Sequence, residues 1–173
     1  MQRRDRLIGG AAATVRVASI ANRVFLAAIA AGLVATWWIP GFIDALLAGA
    51  DPAMDAPAAL PGIRFLMLIG IGMAIATDRL LIALSAIVSS AGEGDPFGPG
   101  SARALQTIGW ALLMLQLLDI CGALVARFWH SLGTAAPDGD ISVAGWIATL
   151  MVFVLARVFA AGSAMRDDLA GTV

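Results

Sequence analysis

Lysine is absent from this chain: all 11 basic residues of the 173 are Arg. Charge of either sign is scarce, at 13% of residues, and the net charge is -1. Nucleic-acid binding rests on clustered positive charge, so no direct nucleic-acid binding is expected. There is one cysteine, Cys121. It forms no disulfide and no two-cysteine redox centre within the chain, and reads as a small apolar side chain buried in an apolar run. One histidine, His130, has too few neighbouring ligands to build a metal site. No metal, cofactor or nucleophile–base pair is expected, and therefore no enzyme.

What the chain has in abundance is apolar surface. Hydrophobic residues make up 60% of it and the mean hydropathy is +0.89, whereas a soluble domain is about 45–50% apolar and about 25% charged. A bilayer core of roughly 30 Å takes about 20 apolar residues as a helix. Four runs qualify: Val24 to Ile43, a second starting near Ile63, Ile108 to Val125, and Ile141 to Phe159. The segments between them are rich in helix breakers. The first run is too long, and its charged leader extends too far, for a cleaved signal peptide. The sequence thus predicts an all-α fold, a four-transmembrane-helix bundle. It divides into an Arg-rich leader over 1–23, a membrane domain over 24–163 and a tail over 164–173.

Arg placement sets the expected orientation. With the N-terminus in the cytoplasm, Arg3, Arg4, Arg6, Arg16, Arg23, Arg79, Arg103, Arg157 and Arg166 lie inside, and only Arg64 and Arg127 outside. Such asymmetry in short loops is the positive-inside pattern. Trp37, Trp38 and Trp129 then fall at the outer interface, where indole rings are favoured. Both termini are expected in the cytoplasm.

Residues 91–103 read "AGEGDPFGPGSAR", and on this topology they form a cytoplasmic loop. A P-loop needs a Lys after its glycines, and a dinucleotide fingerprint follows a strand; neither condition holds. Asp95-Pro96 favours a turn, Ser101 is placed to N-cap the third helix, and Phe97 must pack on the helices or face a partner. With this loop, "ARALQTIGW" and the ending "VLARVFAAGSAMRDDLAGTV", the chain resembles the bacterial domain-of-unknown-function 2975 membrane proteins. The resemblance runs from about Leu80 to Val173 and is carried by Gly94, Asp95, Pro96, Phe97, Arg103, Gly109, Trp110, Asp168, Leu169, Thr172 and Val173. Ser101, where Asn is usual, and Ala104 and Gln106, in a stretch often more basic, depart from the pattern. The resemblance implies a four-helix inner-membrane protein without established enzymatic activity, often encoded beside a small helix-turn-helix regulator.

Charges at membrane depth are costly and usually paired within the protein. At 1.5 Å per residue, Asp78 and Arg79 lie about 22–24 Å below Ile63, and Arg157 about 24 Å below Ile141. Asp119, about 17 Å past Ile108, sits nearer the outside. Depth therefore pairs Asp119 with Arg64, and Asp78 with Arg157 or with Arg23. The second helix should continue unbroken past Asp78 to Gly92. The fourth should run on as an amphipathic extension ending near Gly171.

The expected function is that of a non-enzymatic interaction or regulatory protein in the bacterial inner membrane. Its docking surface would gather Asp95, Pro96, Phe97, Met165, Asp168 and Leu169. Its expected partners are the lipid bilayer and a cytoplasmic transcriptional regulator, with a second copy of the chain as a further candidate. The alternative is a small oligomeric transporter using intramembrane carboxylates for proton coupling.

Overall fold

The computed structural model describes residues 2–39, 41–42, 56–92, 99–131 and 142–170, with backbone alone at 2–8, 56–59, 91, 99, 129–131 and 166–170. Four helices make up the described chain: α1 (Gln2–Trp38), α2 (Ala56–Gly92), α3 (Pro99–Ser131) and α4 (Val143–Ala170). Each contains a stretch long and apolar enough to cross a membrane, at Gly9–Trp38, Leu60–Ser90, Gly100–Phe128 and Val143–Met165. The fold is all-α, and the chain is a multi-pass membrane protein.

Two helices begin or end where the sequence did not place them. α1 starts at Gln2 and stops at Trp38, so the Arg-rich stretch over 2–23 is helical and continuous with the first apolar run. Hydropathy marks where lipid can cover a helix; it does not mark where hydrogen bonding starts. The Ala- and Arg-rich stretch before Val24 is made largely of strong helix formers. At its other end, the chain turns through Gly41, whose φ of 75° is left-handed and costs a glycine little. The second correction is at α3, where Pro99 is the first helical residue, the position Pro prefers. Ser101 therefore lies inside the first turn and is not the N-cap.

Other boundaries match the sequence reading. α2 is continuous through Asp78 and on to Gly92, because no Gly or Pro interrupts the stretch after Gly72. α4 reaches Ala170, one residue short of Gly171. Its start is fixed by Ser142, whose Oγ accepts the Gly145 backbone N–H at 3.1 Å, an N-cap.

The helices lie in chain order: α1 packs on α2, α2 on α3 and α3 on α4. Among the described residues α1 and α4 do not touch, so the expected bundle is an open row. Each neighbouring pair is antiparallel, since Arg23 meets Asp78 while Thr36 meets Arg64, and Gly109 meets Phe153 while Gln116 meets Ser142. The buried apolar side chains between helices are Ala74, Ala76, Ala83, Ala104, Ala111, Ala126 and Ala156, with Val15. The large ones, such as Phe25, Trp110, Leu124, Leu150 and Met151, are exposed. In water this would be inside out. In lipid there is no hydrophobic gain from moving Leu or Phe inward, and small residues let helices approach closely. The same physics leaves the row open, because acyl chains cover the outer faces of α1 and α4.

Glycines carry the closest approaches. On the α1–α2 contact, Gly70 faces Ile29 and Gly32 faces Met67. On α2–α3, Gly72 faces Leu118. Of the small-residue spacings, weak signals in so Ala-rich a sequence, Gly70 to Ala74 falls on this first contact, whereas Ala28 of the Ala28 to Gly32 spacing is exposed.

Candidate functional site

The polar side chains at membrane depth are the places where this fold departs from hydrocarbon. Between α1 and α2, Asn22 donates from Nδ2 to the Ala74 carbonyl at 2.9 Å, and Ala74 is only 2% exposed. One turn further along α2, Arg23 Nε donates to Asp78 Oδ1 at 3.0 Å. Among the described residues this is the one ion pair. Its side chains are 62% and 24% exposed, so the pair is partly open on the Arg23 side. Asp78 thus takes Arg23, the second of the two partners expected for it. Arg157 is out of its reach because α2 and α4 are not neighbours.

Asp119 and Arg64 are not brought together. The Arg64 guanidinium turns to α1, donating from Nε to Thr36 Oγ1 at 3.1 Å and from Nη2 to the Thr36 carbonyl at 2.7 Å. It also lies 4.0 Å from the centroid of the Trp37 ring. Thr36 is in the last turn of α1, where carbonyls lack intrahelical donors and a cation is favoured by the helix dipole. Asp119 is exposed on α3 and makes no ion pair among the described residues. With Gly72 facing Leu118 across the antiparallel α2–α3 contact, Asp119 is level with about Ile71 and so about 10 Å along α2 from Arg64. Cys121 is likewise exposed, not buried, on a face of α3 that lipid would cover.

Asn22 is the contact that sequence reasoning missed, because the first apolar run appeared to start two residues later. An amide one residue before Arg23, at the edge of the first apolar run, was the available signal. Replacing Asn22 by leucine should destabilise the protein by about 0.6 kcal/mol, the average for interhelical hydrogen bonds in membranes, as read by unfolding of the purified protein in SDS. Gln116, on α3, donates from Nε2 to the Ser142 carbonyl at 3.3 Å and so ties α3 to the start of α4.

Ser101 carries an opposite expectation. It is 1% exposed, and its Oγ has no hydrogen-bond partner. A serine deeper in a helix bonds the carbonyl four residues back, but a serine in the first turn has no helical carbonyl behind it. Ser101→Ala removes a desolvated hydroxyl and should stabilise the protein by about 1 kcal/mol, measured in the same SDS titration.

The antiparallel row gathers the described arginines unequally. Arg16 and Arg23 of α1, Arg79 of α2, Arg103 of α3 and Arg157 of α4 occupy one end, and Arg64 and Arg127 the other. The arginine-rich end is grooved between successive helices. Arg16, Ser19, Arg23, Ser85 and Ser89 line a groove of about 410 Å³ between α1 and α2. Arg79, Thr107 and Trp110 line one of about 500 Å³ between α2 and α3. Arg103, Gln106, Arg157 and Ser163 line one of about 410 Å³ between α3 and α4. No group of three or more metal-ligating side chains occurs among the described residues.

A family model described as "Protein of unknown function (DUF2975)" matches residues 12–173. The chain belongs to the DUF2975 family. The match extends the likeness carried by the loop and tail motifs back through α2 and most of α1. No curated protein and no solved structure gives a significant match. The DUF2975 loop residues Asp95, Pro96 and Phe97 lie outside the described residues, as do the side chains of Asp168 and Leu169. Met165, the remaining member of the expected docking surface, is 65% exposed on α4.

Proposed function

We propose that this protein is a non-enzymatic regulatory or interaction protein of the bacterial inner membrane, with both termini in the cytoplasm. It holds or signals to a cytoplasmic partner, such as a small helix-turn-helix regulator, through the 93–98 loop and the C-terminal end of α4. The observation that carries this reading is the arginine-rich end of the row. The positive-inside pattern assigns that end to the cytoplasm, and α2 and α4 both finish there, at Gly92 and Ala170. The exposed Met165 supplies an apolar contact on the same end.

The transporter alternative has weaker support. Proton coupling would draw on Asp78 or Asp119. Asp78 is held by Arg23, a pairing that locks helix register without a path. Asp119 is exposed on α3 rather than buried in a seam between helices. Two variants test the regulatory reading: truncation after Arg166, and Phe97→Ala. Each is expected to remain in the membrane while a co-expressed neighbouring regulator is lost from the membrane fraction. Full recovery of the regulator with both variants would sink the docking reading.

A further inference from the structure

We propose that the groove between α3 and α4 at the arginine-rich end binds the phosphate of an anionic phospholipid between Arg103 and Arg157. The groove is about 410 Å³ and is lined by both arginines with Gln106, Ser163, Phe153 and Ala156. Neither guanidinium has an ion-pair or hydrogen-bond partner among the described residues. Arg157 belongs to the apolar stretch Val143–Met165, about 12 Å along the helix from Met165. A charge at that depth is costly unless something of opposite sign meets it.

The three grooves at this end differ in how much charge they leave unmatched. Between α1 and α2, Asp78 neutralises Arg23 and leaves Arg16 as the lone extra cation. Between α2 and α3, Arg79 is the one cation. Between α3 and α4 two cations line one groove with no carboxylate among the described residues. Two guanidiniums suit a phosphate, whose oxygens accept paired N–H bonds, and the Gln106 amide adds neutral donors.

The lower wall selects lipid over a free anion. Phe153 lines the groove and meets Trp110 edge-to-face at 5.5 Å between centroids. Trp110 is itself exposed on the outside of α3. An acyl chain descending from a phosphate held by Arg103 and Arg157 would run along this aromatic wall in the hydrocarbon layer. Basic grooves between transmembrane helices recognise anionic headgroups in this way. A free phosphate or an acidic peptide would use the arginines and leave the aromatic wall idle.

The test is native mass spectrometry of the full chain in mild detergent, with phosphatidylglycerol or phosphatidylcholine added. Phosphatidylglycerol should be retained selectively on the wild type and on Arg127→Gln, which alters the opposite end. Arg103→Gln combined with Arg157→Gln should weaken retention about thirtyfold, on about fivefold per basic residue. Arg157→Lys should keep most of it. If the double variant is not monodisperse and helical, Arg103→Gln alone decides, with about a fivefold loss expected. Equal retention of the two lipids, or unchanged phosphatidylglycerol retention in the variants, overturns the proposal. So does inorganic phosphate binding as tightly as the lipid, which would make the site one for a free anion. A change in oligomeric state with lipid retention intact also overturns it, and assigns the groove to a second copy of the chain. None of these outcomes depends on a cytoplasmic regulator.

Discussion

Arg64→Ala is expected to destabilise the protein by about 4 kcal/mol. Two charge-assisted hydrogen bonds are lost, at about 1.5 kcal/mol or more each, together with a stacked cation worth about 0.5–1 kcal/mol at an open site. The more important loss is at the Thr36 carbonyl, which Arg64 Nη2 reaches at 2.7 Å and which would otherwise face the membrane edge without a donor. Arg64→Lys should recover little. An ammonium is a point charge and cannot place one donor on the hydroxyl, another on the carbonyl and a flat face on Trp37 together. Thr36→Val should cost only about 1 kcal/mol, because the carbonyl contact survives. Asp119→Asn should cost almost nothing, since Asp119 is exposed and has no cationic partner among the described residues. SDS unfolding followed by far-UV circular dichroism reads all four. A large loss for Asp119→Asn coupled to that of Arg64 would restore the pairing that depth alone suggested.

The second large effect is expected at Gly109. A Cβ built there would lie 3.0, 3.1 and 3.2 Å from three atoms of the Phe153 ring. Alanine would force the ring away and disturb its edge-to-face contact with Trp110, at about 1–3 kcal/mol for overpacking. Leucine adds branches that fill the space the ring occupies, so the helices must part. Among the described residues α4 contacts α3 and no other helix. Gly109→Leu should therefore release α4 from the row, seen as rapid proteolysis between α3 and α4 at SDS concentrations that leave the wild type intact. Phe153→Ala combined with Gly109→Leu should recover part of the loss by making room for the leucine. If the double change is worse than the sum of the two single ones, the ring is not the obstacle.

These two sites also show what the sequence could and could not tell. The four spans, the continuity of α2 through Asp78 and the extent of α4 were all legible, because composition and breaker placement decide them. The beginning of α1 was not, since arginines that interrupt an apolar run do not interrupt a helix. Partner choice was not legible either. Counting residues along each span brought Arg64 and Asp119 together, but the register of α2 on α3, with Gly72 facing Leu118, sets them about 10 Å apart along the helices. Lipid-facing and helix-facing sides are both apolar here, so no amphipathic stripe fixes rotation. Gly109 appeared in the sequence as a family-motif residue with no stated task; its contact with Phe153 depends on which helix becomes the neighbour of α3, and that is a property of the assembled row.

The absence of contact between α1 and α4 has a consequence for how the protein is made. Among the described residues every interhelical contact joins helices consecutive in the chain. Sequence separations within the contacts are therefore small for a membrane protein of this length, and closing the corresponding loops costs little entropy. During synthesis each helix can dock on the one released just before it, so assembly need not await the last span. The chain can accumulate its structure as fast as it leaves the ribosome. A fault in α4 would strike a protein whose first three helices had already found their places.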